Sequence, residues 1–221
     1  VILLIIHSLR RSLVLSACSA LALLTFYITL EPFFAMGATS QAVVVTLNVT
    51  SGVGVTVDSN VLAMSTNLSI NQNTAVATST FTVSTNDTLG YTFQLAASTN
   101  PAMQSGSNKI ADFPTTTPQF WTSGIGSTDA RFGFSVAGSN ITGGAGYWGT
   151  GNYCNGASTS TISTTLKYFG FYTTATTTAK NSSTTTPAGN ATTVCYAVNQ
   201  NNMFISSGTY TANITGTVLA N

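Results

Sequence analysis

Side chains able to exchange a proton near neutral pH, attack an electrophile or hold a metal are scarce in this 221-residue chain. The single histidine is His7 and the single glutamate is Glu31, both ahead of Pro32. Beyond them the carboxylates are Asp58, Asp87, Asp112 and Asp129, scattered among Lys109, Arg131, Lys167 and Lys180. General acid–base, nucleophilic and metal chemistry needs imidazoles, thiolates or paired carboxylates at defined spacing. No Ser/His/Asp set, Cys/His pair or phosphate-binding Gly-rich loop can be assembled after the first 31 residues. Asp112 and Asp129 flank an aromatic region and are the only candidates for a glycosidase pair, but nothing in the sequence sets their separation. The aspartates lack calcium-loop spacing. The expectation is a protein without catalytic residues, cofactor or metal.

The elements around these few groups begin with a leader. Arg10 and Arg11 precede an almost unbroken apolar run from Leu13 to Leu30, followed by Glu31-Pro32 and small residues. A basic start, an apolar middle and a small-residue exit form a secretory signal. Cleavage fits after Gly37, Ser40 or Ala42, while the length of the run also suits an uncleaved membrane anchor. Leu15-Ser16-Ala17-Cys18 matches a lipobox, although the apolar run continues past it. Each version puts residues 43–221 outside the cell, with residues 1–42 as signal or anchor.

The exported part reads as one domain, all-β in composition: Thr, Ser, Asn and Gly take the place of charge, and Thr favours strands. A formal net charge of +1 offers no footprint for nucleic acid, and the membrane is met only through the N-terminal segment. Past the leader only Cys154 and Cys195 remain, and an exported pair is expected to form a disulfide. That bond closes a loop of about 40 residues, for a stabilisation of roughly 4 kcal/mol at most.

Apolar alternation places strands at Val43–Val49, at Val53, Val55 and Val57, and more briefly at Leu68–Ile70. Phe81 and Val83, an Asn86-Asp87 turn, and Tyr91, Phe93 and Leu95 read as a hairpin. Further strands are expected at Phe132–Val136, at Leu166–Tyr172 (apolar on both faces, hence central), at Val194–Val198 and at Thr209–Leu219. Residues 100–126, rich in Pro, and 173–193, rich in Thr and Ser, break the pattern; the second reads as a flexible surface loop open to O-glycosylation. An antiparallel, immunoglobulin-like β-sandwich follows, with a closed barrel as its rival. If Val194, Tyr196 and Val198 point inward, Cys195 points outward, and its disulfide pins the Gly143–Cys154 loop to the outside of a sheet.

Two sets of candidate contact residues remain. Asn48, Asn67, Asn86, Asn140, Asn181, Asn190 and Asn213 head Asn-x-Ser/Thr sequons, about as many as a Ser/Thr-rich composition produces by chance. Tyr147, Trp148 and Tyr153 sit in a Gly-rich stretch beside Cys154, with Trp121 elsewhere. Exposed, such rings stack on sugars; buried, they cap the core, which is the commoner fate of large aromatics.

The segments VVVTLNVTSGVGVTVDSN, STFTVSTNDTLGYTFQLAAS and SSGTYTANITGTVLAN, the last with Gly208-Thr209-Tyr210-Thr211, resemble exported bacterial β-sandwich surface proteins of a kind common in candidate-phylum bacteria. More distantly they resemble WxL and spore-coat-U/pilin-like domains. Trp121-Thr122-Ser123 and Trp148-Gly149-Thr150 lack the leucine of the WxL pattern. The resemblance implies a cell-surface or secreted structural domain with no catalytic residues to carry over, and the expectation is a structural or adhesion protein whose partners are surface glycans or copies of itself. The alternatives are a lectin-like module using the aromatic group, and a filament subunit whose Val43–Val49 strand completes a neighbour's sheet.

Overall fold

The computed structural model describes residues 44–124, 130–150, 160–200 and 204–221. The leader (residues 1–42), Tyr153, Cys154 and Asp129 lie outside the described residues. The chain divides into an N-terminal unit, Val1–Asn48, and a second unit, Val49–Asn221. Of the first unit residues 44–48 are described, and they belong to no strand.

The second unit is mostly β, with largely antiparallel sheets. In chain order its elements are β1 (Val53–Val57), β2 (Thr74–Thr85), β3 (Tyr91–Ala97), β4 (Met103–Ser105), β5 (Asn108–Asp112), β6 (Gln119–Phe120), the short α1 (Trp121–Gly124) and β7 (Arg131–Gly138). There follow α2 (Gly144–Trp148), β8 (Lys167–Tyr168), β9 (Thr176–Asn181), β10 (Asn190–Asn199) and β11 (Ile214–Ala220). A six-stranded sheet runs β1-β2-β10-β7-β5-β4, a three-stranded sheet runs β11-β3-β9, and β6 pairs with β8. One pair, β5 with β7, is parallel.

Period-two alternation builds the main core. Val83 of β2, Phe132, Phe134 and Val136 of β7, and Val194, Tyr196 and Val198 of β10 join Tyr91, Phe93 and Leu95 of β3 and Ala179 of β9 in one buried cluster. Phe81 meets Phe93 across the two sheets at 5.1 Å between ring centroids. Phe171 lies flat between Phe134 at 4.4 Å and Tyr196 at 5.9 Å. Ser79 and the Tyr196 hydroxyl, buried together, share a hydrogen bond of 3.0 Å, the kind of partner an interior phenol needs.

The other face of the six-stranded sheet is also covered. Val76, Cys195 and Ala197 pack with Phe113, Trp121, Ile162, Leu166 and Tyr168 into a second buried cluster. Gly133 on β7 makes room for it, since a Cβ there would stand 2.9 Å from Phe113 Cβ. Cys195 does point away from Val194 and Tyr196, but that face is not open to solvent: Cys195 is 1% exposed.

Several expected elements take a different form. Val44, Val45, Leu47 and Val49 are 73–87% exposed and join no ladder, because alternation makes a strand only where a sheet edge accepts it. Around Leu68–Ile70 a lone Ser69–Gln72 bridge forms a tight turn, with Leu68 packed on the core and Ile70 exposed. The hairpin at Asn86-Asp87 is an arch instead: β2 pairs with β1 and β10, whereas β3 pairs with β11 and β9 in the other sheet. Asn86 Oδ1 accepts from Gly52 N at 2.7 Å, its Nδ2 donates to Thr50 O at 2.8 Å, and Asp87 Oδ1 accepts from Leu89 N at 2.8 Å. The side chains of the turn thus bond to neighbouring backbone rather than closing a ladder between β2 and β3.

The run from Leu166 to Tyr172 is buried on both faces as expected, yet it has only two ladder residues, Lys167 and Tyr168, paired to β6. Phe169 bridges Phe134 singly. The Thr/Ser-rich stretch expected as a loop contains β9, whose Thr178 and Ala179 are fully buried. Small and β-branched residues pair well in a sheet without leaving an apolar alternation to read. Residues 100–126 likewise hold β4, β5 and β6. The last ladder begins at Ile214 rather than Thr209, with Thr211 joined only to Gln104.

Candidate functional site

The candidate aromatics divide by depth. Trp121, first residue of α1, is 5% exposed and packs on Phe113 and edge-on to Tyr168, each 5.0 Å between centroids. Trp148, last residue of α2, is fully buried against Phe134 at 5.6 Å and Phe169 at 6.5 Å. Neither indole presents a face to a ligand, which corrects the lectin-like alternative as drawn through them. Both serve as core, Trp148 in contact with the inter-sheet cluster and Trp121 in the outer one. Burial of so large an apolar surface is the dominant gain available to a tryptophan.

Tyr147 is 39% exposed, edge-on to Trp148 at 5.4 Å. It is held from behind by Gly143, which adopts φ 77° and whose absent side chain leaves the space for the Tyr147 ring; a Cβ there would stand 2.6 Å from Tyr147 Cβ. The sequence reading missed Phe120 and Lys167. Phe120 is 40% exposed on β6, opposite Lys167 on β8. Lys167 Nζ stands 5.4 Å from the Phe120 centroid and donates to Gly146 O at 2.7 Å. A lysine between Leu166 and Tyr168 turns away from its two apolar neighbours, but nothing local says whether that side is open to solvent, and Phe120, at the step from β6 to α1, carries no alternation to read.

The described carboxylates sit in separate settings. Asp87 sits in the arch, where the Leu89 backbone N–H and the Ser51 hydroxyl hold its pKa below the usual carboxylate value. Asp112 ends β5, half-buried, with both oxygens 3.2 Å from Ala102 N. Loss of solvent raises its pKa from 3.8 to about 6, against the opposing pull of the Ala102 N–H and the Arg131 charge. Tyr172, which donates to Thr115 O at 3.2 Å, is raised by burial and by the Asp112 charge. Of the suggested Asp112–Asp129 pair, Asp129 lies outside the described residues. Among the described residues no three His, Cys, Asp or Glu side chains stand together as metal ligands. No helix among them is long and apolar enough to cross a membrane.

Of the sequon asparagines, Asn48, Asn67, Asn86 and Asn213 are exposed, and Asn140, Asn181 and Asn190 are half-buried. Two of the seven use the nitrogen a glycan would occupy: Asn86 Nδ2 bonds Thr50 O, and Asn181 Nδ2 bonds Ser183 O at 2.7 Å. Modification there would break those bonds.

No protein-family model matches the chain, and no curated protein matches it in sequence.

Proposed function

We propose that this chain is a non-catalytic, secreted or cell-surface structural or adhesion protein. Its body is an immunoglobulin-like β-sandwich, stapled by a Cys154–Cys195 disulfide and delivered by the N-terminal leader. The observation that carries this reading is the pairing of two apolar cores with uncharged polar surface where the sheets stay uncovered, at β1–β2 and at β3–β11. Thr56, Thr78, Thr80 and Thr82 lie on the outer side of β1 and β2, and Thr92, Gln94, Thr215 and Thr217 on that of β3 and β11. Such a body spends its aromatics on packing and stays wet through threonines, which suits a durable exterior domain more than one that gathers ionisable groups around a reacting atom. A Cys154–Cys195 disulfide fits the same exported compartment, with Cys195 buried in the outer cluster.

The test is cell fractionation combined with intact mass of the native protein. The protein is expected outside the cytoplasm, with its N-terminus near residues 38–43 or still anchored, and lighter by the hydrogens lost in a disulfide. A cytoplasmic, fully reduced chain sinks the reading.

A second reading, a strand-exchange filament subunit, is favoured by one observation: Val44, Val45, Leu47 and Val49 form an exposed apolar segment that belongs to no strand among the described residues. Such segments are natural donors of an extra strand. Fibres in electron micrographs that vanish when residues 43–49 are deleted support it, and a monomer at every concentration removes it.

A further inference from the structure

The outermost strands of the two larger sheets are β1 and β4 in one and β11 and β9 in the other, and their outer edges are finished differently. On β4, Gln104 exchanges two backbone bonds with Thr211, each 2.9 Å. On β9, Lys180 N donates to Asn140 O and Thr142 N donates to Thr178 O, each 2.8 Å. Among the described residues no segment is bonded in this way to the outer edge of β1 or of β11.

The register of β11 shows which groups are left over. Ser98 N donates to Asn213 O and Asn221 N donates to Gly90 O, so the odd-numbered residues between them bond toward β3. The N–H and C=O groups of Ile214, Gly216, Val218 and Ala220 therefore point away from β3, along an edge seven residues long. The edge carries no proline or lysine, and its ladder with β3 runs through β11 without an extra residue, so the usual guards against pairing are missing. β1 offers a shorter edge of five residues, Val53–Val57.

The Val44–Val49 segment matches the β11 edge in pattern. In an extended strand Val45, Leu47 and Val49 share one face, and Thr46 and Asn48 the other. Beside β11 the apolar face extends the row of Ile214 and Val218, which pack on the core, while the polar face extends that of Thr215 and Thr217. Neither strand carries a charge to oppose the pairing. Val44, Val45, Leu47 and Val49 are 73–87% exposed, so covering them is the gain that pairing offers.

We infer that the outer edge of β11 accepts the Val44–Val49 segment of a second copy of this chain. β11 is then the acceptor strand of the strand-exchange reading, on which this assignment rests.

The experiment adds an excess of a peptide of residues 43–49 to the full chain, kept dilute, and follows amide hydrogen exchange. Without peptide, Gly216, Val218 and Ala220 are expected to exchange fast and Thr215, Thr217 and Leu219 slowly. With peptide the first set is expected to slow about tenfold. Val218→Pro removes one outward N–H, a change an edge strand tolerates, and is expected to weaken peptide binding and fibre growth about tenfold. Val218→Ala loses the same side chain but keeps the N–H, and is expected to retain both. Melting temperatures show whether each variant is folded; should Val218→Pro not fold, the exchange pattern of the unmutated chain decides. Unchanged exchange at Gly216, Val218 and Ala220, protection at Val53, Val55 and Val57 instead, or equal binding by folded Val218→Pro and Val218→Ala overturns the assignment. Fibres that form while β11 stays unprotected overturn the acceptor alone and leave strand exchange standing. A chain that is monomeric at every concentration removes strand exchange and the acceptor with it.

Discussion

The two faces of β10 bury comparable apolar side chains by different means. Toward the three-stranded sheet, Val194, Tyr196 and Val198 meet other regular strands, and each contributes every second residue. On the opposite face, Cys195 and Ala197 are covered by Phe113, Trp121, Ile162, Leu166 and Tyr168, drawn from segments with little or no ladder of their own. The first core is held by many backbone hydrogen bonds as well as by packing. The second relies more on side-chain fit, the kind of arrangement expected to open before a regular ladder does. Phe120 and Tyr147 stand beside that second cluster and on α2, so the less regular region is also one where aromatic side chains reach solvent.

Truncation should separate the two regions most sharply. Phe134→Ala removes a ring in contact with Trp148, Phe169 and Phe171 and is expected to cost about 4 kcal/mol of global stability. Trp121→Ala is expected to cost less, about 3 kcal/mol, because its surroundings can close partly over the cavity. Hydrogen exchange should then show residues 113–121 and 162–168 losing protection while β7 and β10 keep theirs. If both variants deprotect the whole sheet alike, the clusters are one cooperative unit and the contrast fails.

Asp112 gives a contrast of intermediate size, at the junction of β5 with β7. Its folded pKa, about 6, lies above the ordinary 3.8, so the folded protein binds that proton more tightly than the unfolded chain. The stability this confers is present below 3.8 and is lost as pH rises through about 6. The loss is on the order of 2 kcal/mol after allowance for residual solvent. Asp112→Asn can still accept from Ala102 N and should flatten this slope. The check compares urea midpoints of both proteins at pH values on either side of that window. A wild-type midpoint that rises across it would show that the Arg131 charge outweighs burial.

The smallest effect is expected where the chain crosses between sheets. Asn86→Ala removes two bonds to the Thr50–Gly52 backbone at an exposed corner, for about 1 kcal/mol in a thermal or urea melt. A loss several times larger would mean that the corner, and not the shared core, joins the two sheets.

Much of the inner core was legible from the sequence because alternation is a local property. Tyr91, Phe93, Leu95, Phe132, Phe134, Val194 and Val198 were all picked out as apolar positions of strands, and all are buried. The arch was not legible. Asn86-Asp87 announces that the chain turns back, but hairpin and arch turn back alike, and only distant strands decide which ladder each arm joins. β9 was hidden for another reason: Thr176–Asn181 has no large apolar residue, so its burial comes from neighbours rather than from its own pattern. Val44 to Val49 shows the converse, a strand-like pattern without a strand. At the candidate site, Tyr147 was singled out from its type and Gly-rich setting. Phe120 and Lys167 were not, because their outward presentation depends on which neighbours the outer cluster takes in.

By itself the order of residues determined a β-rich body poor in ionisable groups, its inward side chains, and the face of β10 to which Cys195 turns. These follow from residue type and a two-residue period, which act over a few neighbours. The tertiary structure decided which sheet each strand enters, that the Cys195 face is roofed rather than bare, and that Trp121 and Trp148 are interior while Phe120, Tyr147 and Lys167 meet solvent. Those outcomes depend on contacts between segments far apart in the chain, where burial of one side chain is settled by what another segment places over it.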